Sequence, residues 1–168
     1  FEDRRVDMNA EAFDIAIKPG SDPDLTLITR RLAKIRWAIV ASPAYLDAQG
    51  RPARPLDMAG HRAMLHSTDP GNWRFQSVPG AEHVQMNSEL RTDNGQMLLA
   101  AVRAGLGVAR LPRFMVEDSL ARGELEEVLP DFPHESDDLQ IFIPPARTSI
   151  ARVRALVNFL YEKTDREV

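Results

Sequence analysis

The length, composition and charge of this 168-residue chain indicate a globular protein and exclude several functions. Hydrophobic residues make up 43% of the sequence and charged residues 27%, and no apolar run is long enough to cross a bilayer, so we expect no membrane partner. A net charge of -4 argues against binding nucleic acid through its phosphates, which requires clustered excess cations. The lack of cysteine excludes disulfides and favours the reducing cytoplasm, although some periplasmic proteins also lack cysteine.

The first third of the chain is expected to contain two helices and three strands. The spacing of apolar residues predicts one helix and the three strands, over 3–12, 14–17, 27–32 and 35–41. The nearly continuous apolar stretch of the last strand is typical of a strand that is covered on both faces. Ser42 is then expected to cap the second helix, which begins at Pro43 and ends at Gly50.

Helices and strands continue to alternate through the rest of the chain. A helical turn is predicted over 56–59, strands over 63–66, 83–86, 89–92 and 139–143, and helices over 112–120 and 149–164. Ser149 is expected to cap the last helix. Because strands and helices alternate throughout, we predict an α/β fold with a mostly parallel sheet in each of one or two lobes.

The run over residues 93–112 is the most informative segment, because it joins a polar helix start to a short apolar strand. Asp93 or Asn94 can cap the helix, whose free backbone N–H groups then face any anion that approaches. Apolar residues occupy most sides of this helix, so we expect it to be buried inside a domain. Gly105 is predicted to end the helix, and Gly107 to lead into the strand.

Motifs for catalysis, metals and cofactors are weak or absent. The glycines at 105 and 107 resemble a dinucleotide-binding turn, but they follow a helix and precede a strand, which is the reverse of the required order. The four histidines lack metal-binding spacing, and the carboxylate pairs at 22 and 24 and at 137 and 138 are typical of solvated loops. We therefore predict no enzyme activity, no cofactor and no metal site.

Two cations lie in or next to predicted strands. Lys18 follows an apolar strand, and Arg110 lies within the strand that follows Gly107. Ligands of α/β sheets bind beside the carboxyl ends of strands, so both side chains are candidates for contact with an anion. A salt bridge or simple exposure is the commoner role of a single Lys or Arg. Together with the capped helix at Asn94, the two cations favour an anion site.

Seven segments of this chain, taken in order, resemble the effector-binding domain of LysR-type transcriptional regulators. They are Val-Asp-Met-Asn-Ala-Glu-Ala-Phe-Asp-Ile-Ala-Ile-Lys at 6–18, Arg-Arg-Leu at 30–32, Val-Ala-Ser-Pro-Ala-Tyr-Leu at 40–46, Pro-Leu-Asp-Met-Ala-Gly-His at 55–61, Asp-Asn-Gly at 93–95, Ala-Gly-Leu-Gly-Val-Ala-Arg-Leu-Pro at 104–112 and Arg-Val-Arg-Ala-Leu-Val-Asn-Phe-Leu at 152–160. Each segment alone is weak evidence for the family. Their common order and spacing make the resemblance strong over nearly the whole chain.

The resemblance implies an α/β fold of two Rossmann-like lobes with mixed sheets, similar to type 2 periplasmic binding proteins. The chain would cross between lobes near 41–42 and return near 108–109. Lobe I would then comprise 1–41 and 109–168, and lobe II would comprise 42–108. Two parts of the family pattern would be missing from this chain, namely the N-terminal strand and helix of lobe I and the DNA-binding winged helix-turn-helix domain.

The resemblance also implies where a small molecule binds. Carried over position by position, the residues lining the cleft between the lobes would be Lys18, His66, Ser67, Thr68, Asn94, Gly95, Val108 and Arg110. Lys18 stands where the family often has Arg, and Arg110 stands where an apolar residue is commoner. The added charge of Arg110 predicts an anionic effector, held by charge-assisted hydrogen bonds worth about 1.5–3 kcal/mol each.

From this resemblance we expect an effector-sensing and dimerisation domain of a bacterial LysR-type regulator. A small-molecule effector, a carboxylate or an aromatic acid, would alter how the subunits of a homodimer or homotetramer present their DNA-binding domains. DNA would be bound only through the missing N-terminal domain, in the cytoplasm. A solute-binding protein of a transport system, with the same fold, is the alternative.

Overall fold

The described part of the chain forms two compact units. A computed structural model describes residues 13–20, 26–77, 80–132 and 136–164. The large unit contains the described residues from 37 onwards up to 132, and the small unit combines those up to 36 with those from 136 onwards. The helix expected over 3–12 lies outside the described residues.

The described residues contain ten strands and four α-helices. The strands are β1 (Ala16–Pro19), β2 (Ile28–Ile35), β3 (Trp37–Ala41), β4 (Arg62–His66), β5 (Asn72–Ser77), β6 (Gly80–Gln85), β7 (Asn87–Thr92), β8 (Val108–Pro112), β9 (Glu126–Glu127) and β10 (Asp137–Ile143). The helices are α1 (Pro43–Gln49), α2 (Gly95–Arg103), α3 (Arg113–Ala121) and α4 (Ala151–Lys163), with 3₁₀ helices at Pro55–Gly60 and Pro145–Arg147. Among the described helices, none is both long and apolar enough to cross a bilayer.

The large unit is built on a five-stranded mixed sheet in the order β7-β4-β8-β3-β9. β4 is parallel to β7 and, through the pairing of Ala63 with Val108, to β8. β3 is antiparallel to β8 and to β9. A separate antiparallel hairpin joins β5 and β6. The mixed pairing places β8 between two other strands, so its first residues lie in the middle of the sheet.

Apolar side chains cover both faces of this sheet. Ile39 belongs to a buried cluster with Trp73 and Phe75 of the β5–β6 hairpin. The next residue, Val40, belongs to a second cluster with Leu98 and other residues of α2. Because successive side chains of a strand point to opposite faces, β3 is buried on both of them. The prediction from its continuous apolar sequence is confirmed.

Helix α2 begins as the sequence predicts. The side-chain oxygen of Asn94 accepts hydrogen bonds from the backbone N–H groups of Gln96 and Met97, at 2.9 and 3.2 Å, which makes Asn94 the N-cap. The inner side of the helix, which includes Val102, is fully buried in the second cluster. Met97 is 54% exposed, so the expectation that this helix is buried on most sides is wrong for its outer face.

Two glycines after α2 have different physical roles. Gly105 has a φ of +75°, a backbone conformation that costs other residues a steric penalty. Gly107 lies so close to β4 that an added Cβ would stand 2.3 Å from the carbonyl oxygen of Arg62 and 2.7 Å from the Met64 side chain. The absence of a side chain at Gly107 therefore lets the chain enter the sheet as β8.

The small unit contains a three-stranded sheet in the order β1-β10-β2, with both pairings antiparallel. Val153 and Val157 of α4 pack against this sheet in a cluster with Ile141. The hydroxyl group of Tyr161 donates a hydrogen bond to the backbone oxygen of Arg31 at 2.8 Å, which links α4 to β2. The mostly parallel sheet expected for each lobe is therefore wrong for the described strands of the small unit.

The described residues divide into the two compact units between 36 and 37 and between 132 and 136, while the lobe crossings near 41–42 and 108–109 stay a prediction. The pairing of β3 with both β8 and β9 keeps all three strands in the large sheet. Two further details differ from expectation. Strand β5 had no predicted counterpart, and α4 is preceded by Ile150 with no side-chain cap, so Ser149 does not cap it.

Replacing Gly107 by alanine tests the close approach of β8 to β4. The variant Gly107→Ala should lose about 2–4 kcal/mol of unfolding free energy, because its methyl group would overlap the backbone of Arg62. Urea denaturation measures this loss. The matched control is Gly60→Ala, where nothing lies within 4 Å of an added Cβ. Equal stability of the two variants would contradict the proposed role of Gly107.

His61 is a buried titratable group in the large unit. Its Nδ1 atom lies 3.2 Å from the hydroxyl of Tyr45, which also accepts a hydrogen bond from the backbone N–H of Arg62. The Tyr45 hydroxyl therefore links the His61 ring to the start of β4. Burial lowers the pKa of His61 below its usual 6.5, and the nearby Asp57 carboxylate opposes this only in part.

The lowered pKa of His61 predicts a pH-dependent stability. The unfolded chain takes up the proton near pH 6.5 while the folded chain resists it, so the unfolding free energy falls as pH decreases through and below 6.5. His61→Gln should reduce this slope, since the amide does not titrate. Denaturation midpoints measured between pH 5 and pH 8, in steps of about half a unit, test this. His83→Gln, at an exposed position of β6, is the control that should keep the slope.

Candidate functional site

An ion pair between Asp69 and Arg110 lies at the centre of the candidate site in the large unit. The Arg110 Nη2 atom donates to the Asp69 Oδ2 atom at 3.3 Å. The side chain of Asp69 is only 10% exposed, and that of Arg110 is 25% exposed. Partial burial strengthens the attraction between the two charges and makes any missing hydrogen bond costly.

Asp69 is held firmly by groups other than Arg110. Its Oδ1 atom accepts from the backbone N–H of Gly71 at 2.8 Å, and its Oδ2 atom accepts from the indole N–H of Trp73 at 3.0 Å. Its backbone oxygen accepts from the Arg91 guanidinium at 2.7 Å. Because Trp73 is fully buried, the carboxylate of Asp69 has little freedom to move.

Arg110 is held less completely than its partner. Its guanidinium carbon lies 5.2 Å from the centre of the Trp37 ring, a distance that permits a cation–π interaction. Its Nε–H group is buried and has no hydrogen-bond acceptor among the described residues. A buried donor without an acceptor costs about 1–3 kcal/mol, so an added acceptor at this atom would stabilise the site.

The loop after β4 brings polar groups next to this pair. The backbone N–H of Asp69 donates to the His66 carbonyl at 2.9 Å, which closes the turn. Thr68 donates from its backbone N–H to the His66 Nδ1 atom at 3.3 Å, and the Thr68 hydroxyl lies 2.8 Å from the same atom. The Nδ1 atom is therefore an acceptor, and the ring is fixed relative to the loop.

Thr92 connects this loop to the start of α2. Its carbonyl accepts from the backbone N–H of Ser67 at 2.9 Å, and its hydroxyl accepts from the backbone N–H of Asn94 at 3.2 Å. Gly95 follows as the first residue of the helix, and an added Cβ there would lie 3.0 Å from the side chain of Met115. Hydrogen bonds thus bring six of the eight predicted site residues into one part of the large unit: His66, Ser67, Thr68, Asn94, Gly95 and Arg110.

The two other predicted residues have different surroundings. Val108 is fully buried in the core of the large unit, so its side chain is not available to a ligand. Lys18 belongs to β1 of the small unit, where its ammonium group lies 5.0 Å from the centre of the Phe142 ring.

The residues that sequence reasoning missed are Asp69, Trp37, Trp73 and Arg91. Asp69 occurs in a turn sequence where aspartate is common, so nothing in its surroundings marks it as a partner of Arg110. One clue was available, because the chain has only two tryptophans and both contact this ion pair. The sequence separation of 41 residues between Asp69 and Arg110 hides their contact.

The arrangement is suited to binding an anion. It offers an unsatisfied guanidinium donor, an exposed second guanidinium at Arg91 and a capped helix start. Across the part of the chain that the structure describes, no cluster of three or more His, Asp or Glu side chains is arranged to hold a metal ion.

Comparisons with known proteins identify the family of this chain. The chain matches the model of the LysR substrate binding domain over residues 2–165. It is 32% identical over 162 residues to the uncharacterized HTH-type transcriptional regulator YhjC of Escherichia coli K12, covering 94% of this chain and 54% of that protein. It is 29% identical over 168 residues to the HTH-type transcriptional regulator PtxR of Pseudomonas aeruginosa, covering 99% and 54%.

A solved structure has the same fold. The regulatory domain of CrgA, a LysR-type transcriptional regulator from Neisseria meningitidis, matches with a TM-score of 0.81 and 25% identity, covering 94% of this chain and 78% of that one. This match confirms the predicted α/β fold class. The chain spans about half the length of the curated relatives it matches. Both of these relatives are named as HTH-type transcriptional regulators. The chain belongs to the LysR substrate-binding domain family.

Proposed function

We propose that this chain senses a small anionic effector, and that it does so as the effector-binding and dimerisation domain of a bacterial LysR-type regulator. The observation that carries the proposal is the buried Nε–H group of Arg110, which has no acceptor among the described residues. A carboxylate placed there supplies the missing acceptor and forms a charge-assisted hydrogen bond.

The surroundings of Arg110 support a carboxylate or an aromatic acid as the effector. The Trp37 ring and the hydrogen bond that Arg110 donates to Asp69 hold the guanidinium, so little side-chain entropy is lost when a ligand binds. The loop of His66, Ser67 and Thr68 adds hydroxyl and imidazole groups that can orient the rest of the molecule. In this proposal Asn94 contributes the helix start.

The partners of the whole regulator follow from the same proposal. The effector binds one arrangement of the subunits more tightly than another, and this difference in affinity shifts the population of a homodimer or homotetramer. DNA is bound through an N-terminal domain that lies outside this chain, in the cytoplasm. The HTH-type names of the relatives favour a regulator over the solute-binding protein of a transport system.

Removing the guanidinium of Arg110 tests the proposed anion contact. Arg110→Ala should weaken binding of an anionic effector more than tenfold, because it removes a charge-assisted bond worth roughly 1.5–3 kcal/mol. Thermal-shift screening of small carboxylic acids identifies a ligand, and calorimetry measures its affinity. The control is Arg122→Ala, which removes an exposed arginine paired with Glu124. Unchanged affinity in Arg110→Ala would remove this residue from the site.

A second variant examines the helix start. Asn94→Leu should weaken effector binding less than Arg110→Ala does, because the backbone N–H groups of α2 remain when the cap is lost. The variant should also lose about 1 kcal/mol of stability through the missing cap. Calorimetry and urea denaturation separate these two effects. A larger loss of affinity than in Arg110→Ala would mean that the Asn94 side chain is itself the main contact.

Promoter binding by the full-length regulator tests the sensory role. The effector found by screening should change the affinity or the footprint of the full-length protein on its own promoter, and Arg110→Ala should abolish that change while leaving effector-free DNA binding intact. A gel-shift titration with and without effector provides the measurement. If the ligand leaves DNA binding unchanged in the wild-type regulator, the proposed function is wrong.

A further inference from the structure

The partner of Arg110 gives a basis for predicting the charge of the effector. Asp69 places a fixed negative charge against the same guanidinium that the effector is proposed to contact. Its carboxylate does not depend on Arg110 for its own stability, because Gly71 and Trp73 donate to it over shorter distances. Asp69 therefore remains in place, still hydrogen-bonded to Gly71 and Trp73, when a ligand arrives.

Arg91 completes the local charge. Its guanidinium donates to the backbone oxygen of Asp69, and Arg110 donates to the side chain of the same residue. Two guanidinium groups and one carboxylate leave this cluster with a net charge of +1. A single negative charge neutralises such a cluster. A second negative charge on the ligand would gain little from the cluster and would be repelled by Asp69.

We infer that Asp69 is a specificity-determining residue, which removes the advantage that an effector with two negative charges would otherwise have over an effector with one. This inference rests on the proposed function, because it assigns the charge class of the ligand at Arg110. Asp69 acts as an internal anion that lowers the attraction of the site for every anion, and it penalises a dianion twice as much as a monoanion.

The tryptophans provide a direct optical readout of the site. Trp37 lies against the guanidinium of Arg110, and Trp73 donates to Asp69. Since these are the only two tryptophans of the sequence, all of the indole fluorescence comes from residues that contact the ion pair. An anion that reaches Arg110 should change this fluorescence without any added label.

The test is a fluorescence titration of this chain with sodium acetate and with disodium malonate, at pH 7.5 and constant ionic strength. For the wild-type chain the two anions should have similar dissociation constants. In Asp69→Asn both anions should bind more tightly. The affinity for malonate should rise roughly fivefold or more relative to the affinity for acetate, because the lost carboxylate repelled both charges of malonate. Asp47→Asn is the matched control, since Asp47 is an exposed aspartate paired with Arg51 in the same unit.

A second variant keeps the test valid if Asp69→Asn does not fold. Arg91→Gln lowers the net charge of the cluster by removing a cation, whereas Asp69→Asn raises it by removing an anion. It leaves the Asp69 carboxylate and its hydrogen bonds from Gly71 and Trp73 intact. It should weaken malonate binding by roughly fivefold relative to acetate. Opposite shifts of the malonate-to-acetate ratio in the two variants support the inference.

The outcomes separate this inference from the proposed function. Wild-type chain that binds neither anion, together with Asp69→Asn that binds both, also supports the inference, because the carboxylate then masks Arg110 completely. Three results for Asp69→Asn overturn the inference. They are an unchanged ratio of malonate to acetate affinity, weaker binding of both anions, and no response to either anion. Effector-dependent promoter binding by the full-length regulator, with its dependence on Arg110, would remain valid in each of these cases.

Discussion

The backbone of Gly107 approaches β4 so closely that no side chain fits between them, and the large sheet depends on this approach. It allows β8 to lie between β4 and β3, where Val108 and Ala109 become fully buried. The same strand continues to Arg110, whose position is therefore fixed by the packing of the residues before it. A rigid strand is a better support for a binding group than a loop, because its side chains are held by the sheet.

The charged residues around Arg110 follow from its partial burial. A guanidinium that is three-quarters covered requires compensation, and Asp69 and the face of Trp37 supply part of it. The compensation is incomplete, since the Nε–H group lacks an acceptor among the described residues. Structural arginines normally satisfy such donors within the protein. The unsatisfied donor is thus the strongest physical reason to regard this ion pair as part of a ligand site, and Asp69 as a determinant of which ligand it accepts.

Much of the fold could be predicted because the relevant information is local. The apolar run of β3, the Ser42 cap and first-turn Pro43 of α1, and the Asn94 cap of α2 act over a few residues, and the structure agrees with each. Predictions failed where contacts between distant segments determine the structure. Strand β5 is a strand because it pairs with β6, and no local pattern indicated it. The predicted Ser149 cap is wrong, because Ile150 is the residue that precedes α4 and no side chain caps this helix.

The sequence by itself determined the α/β class and the family resemblance and marked Arg110 as a candidate for contact with an anion, because periodicity, caps and an unusual charge can all be read along the chain. Only the tertiary structure decided what surrounds that charge. It brought Asp69 and Trp37 to Arg110, and Trp73 to Asp69, from separate elements. It also buried Val108 and joined the 66–69 loop to Asn94 through Thr92. These contacts depend on strand pairing between residues far apart in the chain, and no local pattern in the sequence specifies such pairing.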